Sequence, residues 1–92
     1  MQQTITLNLP YDLSADDWNK VLSVYREMDG WIEAQGCWFA SPDSKGHVGV
    51  SIEPSGLLVM GYTDAGLFRA WVTKLCAKLS LSLQRPVYDA EM

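Results

Sequence analysis

The chain has 92 residues, of which 48% are apolar and 20% are charged. Domains usually run about 100–200 residues, so we expect residues 1–92 to form a single domain. Eleven acidic residues against seven basic ones give a net charge of −4. This balance argues against nucleic acid as a partner, because phosphate binding draws on clustered lysine and arginine. The sequence contains no run long enough for a spanning helix and no signal-peptide pattern, so we expect a cytoplasmic protein without membrane contact.

Cysteine and histidine are too few for a structural metal site or a disulfide framework. The chain holds Cys37, Cys76 and His47, whereas a structural zinc site needs about four such ligands at short spacings. Either cysteine could form a nucleophilic pair with His47, but free cysteines are more often interior apolar residues. We therefore expect two buried thiols, no metal and no cofactor.

The first two elements in chain order are a strand and a helix. Residues 4–9 alternate between polar and apolar types, which predicts a half-buried strand. Ser14 is a good N-cap, and Asp17 three residues later approximates a capping box. Apolar residues then recur at helical spacing as far as Gly30, so the sequence predicts a helix over about residues 15–29.

The middle of the chain has the pattern of three antiparallel strands joined by turns. The predicted strands cover residues 37–40, 47–53 and 57–62. The first of them can also extend backward to Trp31 through a bulge near residues 35–36.

The last part of the chain predicts a second helix. Thr63 is the expected N-cap, apolar residues at helical spacing continue to about Gln84, and Pro86 ends the helix. Val87-Tyr88 can add a short extended piece. The element order βαβββα predicts an α+β two-layer sandwich, with a mainly antiparallel four-stranded sheet and two helices on one face.

The face of the sheet opposite the helices should be polar. The last predicted strand, residues 57–62, cannot satisfy this expectation, because it places apolar side chains on that face in either register. A type I turn followed by Gly56 in a left-handed bulge would place Glu53 opposite Leu57. In that register Leu57 and Val59 face away from the helices. A slip of one residue would expose Leu58, Met60 and Tyr62 instead.

The expected outward residues form a candidate partner-binding site. Large exposed apolar patches often mark interaction sites, and tryptophan is enriched at binding hot spots. The alternative is that the Val87-Tyr88 segment or a helix covers this face. The candidate residues are Trp38, Leu57, Val59, Glu53 and His47, rimmed by Thr4, Thr6 and Ser51.

No motif in the sequence indicates catalysis. The chain contains no nucleophile elbow, no glycine-rich phosphate loop and no paired-histidine zinc motif. Acidic residues concentrate in the first predicted helix, where they can serve as polar selectors for a partner or simply be solvated. We therefore expect the protein not to be an enzyme.

Four segments together resemble small uncharacterised bacterial proteins of the toxin-immunity type. The resemblance implies a compact α/β protein that binds and neutralises a cognate toxin without chemistry of its own, and it transfers no functional residues. The segments are Pro10 to Ser14, Trp18, Trp38-Phe39 and Ser51 to Leu57.

The resulting hypothesis is a non-enzymatic protein-binding domain, in which Trp38 anchors the partner. Replacing Trp38 by alanine is then expected to weaken binding and to leave the fold largely intact. The alternatives are a homodimerisation module, a secretion chaperone, or a small-ligand-binding domain with Trp31, Trp38 and Tyr62 around a pocket.

Overall fold

The computed structural model describes residues 2–42 and 44–90. It has a five-stranded antiparallel sheet in the order β1-β5-β4-β3-β2 and two helices, so the predicted α+β class is confirmed and the sheet has one more strand than predicted. The elements are β1 Gln3–Leu7, α1 Ala15–Glu27, β2 Trp31–Ile32, β3 Cys37–Trp38, β4 Val48–Glu53, β5 Gly56–Gly61 and α2 Ala65–Leu83.

Helix α1 begins where its capping residues predict. The Ser14 hydroxyl accepts a hydrogen bond from the Asp17 backbone N–H at 3.2 Å, which satisfies one of the donors left free at a helix start. The helix ends at Met28, whose N–H bonds the carbonyls of Val24 and Tyr25. Its buried residues, Val21 among them, lie on one side and face the sheet.

The segment after α1 forms a separate short hairpin rather than one bulged strand. β2 pairs with β3 through Trp31 opposite Trp38, and residues 33–36 form the turn between them. The predicted strand 37–40 ends early because Phe39 has a left-handed backbone with φ +72°, which no regular strand contains. This turn and this early end produce the extra strand.

The hairpin between β4 and β5 corrects the predicted register. Glu53 pairs with Gly56 and Ile52 with Leu57, so the loop has two residues and the prediction of a three-residue loop is wrong. Gly56 has φ +138° and lies against the backbone carbonyl of Leu7, which only a residue without Cβ can do. Gly56 therefore belongs to β5, and the shift of one residue reverses the faces of every side chain in that strand.

Both helices pack on one face of the sheet and enclose a single core. Phe68 of α2 lies directly on Gly61, where any side chain would meet the phenyl ring. The core contains Val21, Val24 and Tyr25 of α1, Phe68, Trp71, Val72, Leu75 and Leu79 of α2, and Leu7, Trp38, Val48, Leu57 and Val59 of the sheet.

Helix α2 starts one residue later than predicted and ends close to the predicted position. The Asp64 carboxylate, rather than Thr63, accepts the capping hydrogen bond from the Leu67 N–H at 3.1 Å. The helix ends at Gln84, which has a left-handed backbone with φ +54°. In the described part of the chain, neither helix combines the length and the apolar character needed to cross a membrane.

The C-terminal segment widens the sheet at its β1 edge and leaves the face opposite the helices uncovered. The Asn8 N–H bonds the Tyr88 carbonyl at 3.1 Å, and the Ala90 N–H bonds the Thr6 carbonyl at 2.7 Å. The segment therefore lies beside β1 in the plane of the sheet, with a bridge between Leu7 and Asp89. The alternative prediction, in which residues 87–88 cover this face of the sheet, is therefore wrong.

Candidate functional site

The three apolar residues of the predicted partner-binding site lie in the core. Trp38 is 0% exposed, Leu57 1% and Val59 0%. The prediction that they face outward is wrong, because the register of β5 places Leu57 and Val59 on the helix side together with Val48. Buried side chains provide no docking surface in the folded protein.

Trp38 is the centre of an aromatic cluster beneath the helices. Its ring centroid lies 5.1 Å from those of Tyr25 and Trp31 and 4.7 Å from that of Trp71. Its indole Nε1 donates a hydrogen bond of 3.0 Å to the Tyr25 carbonyl. Burial also raises the pKa of the Tyr25 phenol. The cluster is therefore structural, and it removes Trp31 and Trp38 from the ligand pocket that the sequence suggested.

The uncovered side of the sheet, here called the open face, carries a different apolar row. Leu58 and Met60 on β5 are half-buried, and Tyr62 just after it is 38% exposed. This is the set that the alternative register of the sequence analysis exposes. The open face consists of Thr4, Thr6, His47, Gly49, Ser51, Glu53, Leu58, Met60 and Tyr62.

The two polar candidates, His47 and Glu53, lie at opposite ends of the open face. The Ser51 hydroxyl donates to the Glu53 carboxylate at 2.9 Å and fixes its position. The His47 ring stacks on the Tyr62 ring with centroids 4.4 Å apart, and its Nδ1 lies 3.0 Å from the Ser44 carbonyl oxygen. The structure thus keeps both residues beside an apolar row, but beside Leu58 and Met60 rather than Leu57 and Val59.

A groove at the start of α2 was missed by the sequence analysis. It has a volume of about 560 Å³, and its apolar walls include Phe39, Leu67 and Trp71. Phe39 is 51% exposed, since its left-handed backbone turns the ring out of the strand. At the rim the Lys74 amine lies 3.8 Å from the Asp29 carboxylate. A residue that leaves its strand in this way has no signature in the sequence.

The two cysteines are free thiols without the features of a nucleophile. The Cys37 thiol is buried and donates to the Ala40 carbonyl at 3.1 Å. Burial raises the pKa of both thiols, and the Asp89 carboxylate raises that of Cys76 further, so both stay protonated at neutral pH. Among residues 2–42 and 44–90, no three histidine, cysteine or acidic side chains converge as metal ligands.

Comparisons with known proteins leave the chain without a family assignment. A scan against protein-family models, a search of curated proteins and a search of solved structures find no match to it.

Proposed function

We propose that the protein is a non-catalytic protein-binding domain whose open face docks a partner protein. The observation that carries this proposal is the row of Leu58, Met60 and Tyr62, which no described element covers. Hydroxyl side chains flank the row, as in interfaces where an apolar centre is surrounded by a polar rim. The resemblance to toxin-immunity proteins suggests that the partner is a toxin.

The size of the open face favours a separate partner over a second copy of the chain. Three strands spaced about 4.8 Å apart, with roughly six residues each at about 3.4 Å per residue, give a projected area of roughly 300 Å². Even doubled for surface relief, this is less than the roughly 800 Å² that each protein buries in a standard interface. A stable partner must therefore reach beyond the face, whereas a copy stacked face to face would contact little else.

Replacing Met60 by lysine is expected to weaken partner binding strongly while the protein stays folded. A charge at the centre of an apolar contact must lose its water when the partner docks, which weakens binding by about tenfold or more. The measurement is affinity capture from the cells that make the protein, with the retained proteins quantified by mass spectrometry. We expect a protein that the natural chain retains and Met60→Lys does not.

The matched control is Leu81→Lys, because Leu81 is 82% exposed on the distant surface of α2. This variant should retain the same protein as the natural chain. Equal capture by all three chains, with circular dichroism showing Met60→Lys folded, would contradict the proposal. Sedimentation that showed a dimer lost on Met60→Lys would replace it with a homodimerisation module.

The groove beside Phe39 supports a second candidate function, the binding of a small apolar ligand. Its volume of about 560 Å³ falls within the usual range for ligand sites, about 300–1,000 Å³. Anilinonaphthalene sulfonate combines aromatic rings with an anionic group that Lys74 can pair, so its fluorescence should rise on binding. Leu67→Asp should suppress this rise and Leu81→Asp should not. A fluorescence rise unaffected by Leu67→Asp would exclude the groove.

A further inference from the structure

The outer edge of β4 is left without a strand partner along most of its length. β3 pairs with β4 at Val48 alone, whereas β4 continues to Glu53. The chain turns away at residues 33–36, so the β2–β3 hairpin ends beside the start of β4. No described residue forms a strand pair with Gly49–Glu53 on this side.

The backbone groups that face this edge can be assigned from the opposite side of β4. The His47 carbonyl accepts a hydrogen bond from the Tyr62 N–H at 3.0 Å and therefore points toward β5, whereas the next residue, Val48, pairs through its backbone N–H and C=O with Trp38 of β3 on the outer side. Successive residues of a strand direct these groups to alternate sides. The N–H and C=O groups of Val50 and Ile52 therefore face outward, and no described backbone group bonds them.

The edge also lacks two of the devices that usually prevent strand addition. Proteins protect exposed edges with lysine, proline, bulges or a covering element, and Gly49 to Ile52 contain neither lysine nor proline. The Ile52 side chain is 54% exposed, although its neighbours Val50 and Leu57 pack in or against the core. The edge thus combines available hydrogen-bonding groups with an exposed apolar contact.

From these observations we infer that the β4 edge binds an extended segment of the partner protein as an added strand. Its side chains next to Ile52 would be apolar, and those on the open face, next to Ser51 and Glu53, would be basic. The Glu53 carboxylate and the net charge of −4 favour a basic segment over an acidic one. The inference rests on the protein-binding function proposed above, and it supplies contact area that the open face lacks.

The probe is a peptide of roughly eight alternating valine and lysine residues, the length of a typical added strand. Binding is followed by NMR of the isotopically labelled protein, with amide hydrogen exchange measured at each residue. We expect exchange at Val50 and Ile52 to slow when the peptide is added. A peptide of alternating valine and glutamate should bind about tenfold more weakly, because it meets Glu53 with the same charge.

Ile52→Lys is the edge variant, since a lysine on an edge strand disfavours strand addition. It should weaken binding of the valine–lysine peptide about tenfold, whereas Leu81→Lys and Met60→Lys should not. Unchanged exchange at Val50 and Ile52, or equal binding by Ile52→Lys, would overturn the inference. Slow exchange of both amides in concentrated protein without peptide would also overturn it, by assigning the edge to a second copy of the chain. If the peptide still bound but Met60→Lys had no effect on partner capture, only the proposed role of the open face in partner binding would be refuted.

Discussion

Replacing Trp38 by alanine is expected to lower the free energy of unfolding by about 3–5 kcal/mol, the usual range for a fully buried aromatic side chain. Natural domains have only about 5–15 kcal/mol in total, so this loss would remove a large part of the stability of the protein. The substitution empties the space between Tyr25 and Trp71, whose rings both lie against the indole. It also leaves the Tyr25 carbonyl without the indole donor.

Urea unfolding followed by circular dichroism measures this loss of stability. Leu81→Ala is the control, because the Leu81 side chain is 82% exposed and such surface substitutions stay within about 0.5 kcal/mol. If Trp38→Ala unfolded at the urea concentration of the natural chain, Trp38 would have to be a surface residue. This expected result is the opposite of the one that the sequence alone favours.

The sequence could not decide the side on which Trp38 lies. Alternation in a strand predicts that Cys37 and Trp38 face opposite sides, but a strand of two residues carries no pattern that tells which side is covered. The pairing with β4 gives no further indication, because Trp38 pairs with that strand only at Val48. What decides the matter is packing against Tyr25 and Trp71, which come from two helices far apart in the sequence.

The helices, in contrast, were predictable because their signals are local. Ser14 and Asp17 are three residues apart and bond as a capping pair, so the residues of a single helical turn are enough to predict the start of α1. The end of α2 is predicted in the same way, because apolar residues at helical spacing continue to about Gln84 and Pro86 follows shortly after. Thr63 was predicted as the cap of α2 and Asp64 takes the role, an error of one residue between two good caps.

Which side chains of β5 form the candidate site depends on a contact between residues far apart in the sequence, and no local pattern predicts that contact. The turn at Pro54 allows either a two-residue or a three-residue loop, and the choice reverses the faces of β5. The contact that accompanies the observed choice joins Gly56 to the Leu7 carbonyl of β1, a strand that comes much earlier in the sequence. The sequence therefore allows either of two apolar sets to face outward, and the set that was predicted to do so is the buried one.

Replacing Gly56 by alanine is expected to lower the free energy of unfolding by about 3 kcal/mol. Its φ of +138° is one that residues with a Cβ rarely adopt, and the added methyl group would meet the Leu7 carbonyl. Backbone strain of this kind contributes about 1–3 kcal/mol. The displacement of β1 by the methyl group adds to it.

Gly46→Ala is the comparison without such a contact, because Gly46 also has a positive φ, +89°, but nothing lies within 4 Å of the added methyl group. We expect it to be destabilised by about 1 kcal/mol in the same urea measurement. The contact with β1 and the larger φ of Gly56 should together make Gly56→Ala clearly worse. Equal losses would mean that Gly56 does not lie against Leu7, and the register that places Leu58 and Met60 on the open face would then lose the contact that fixes it.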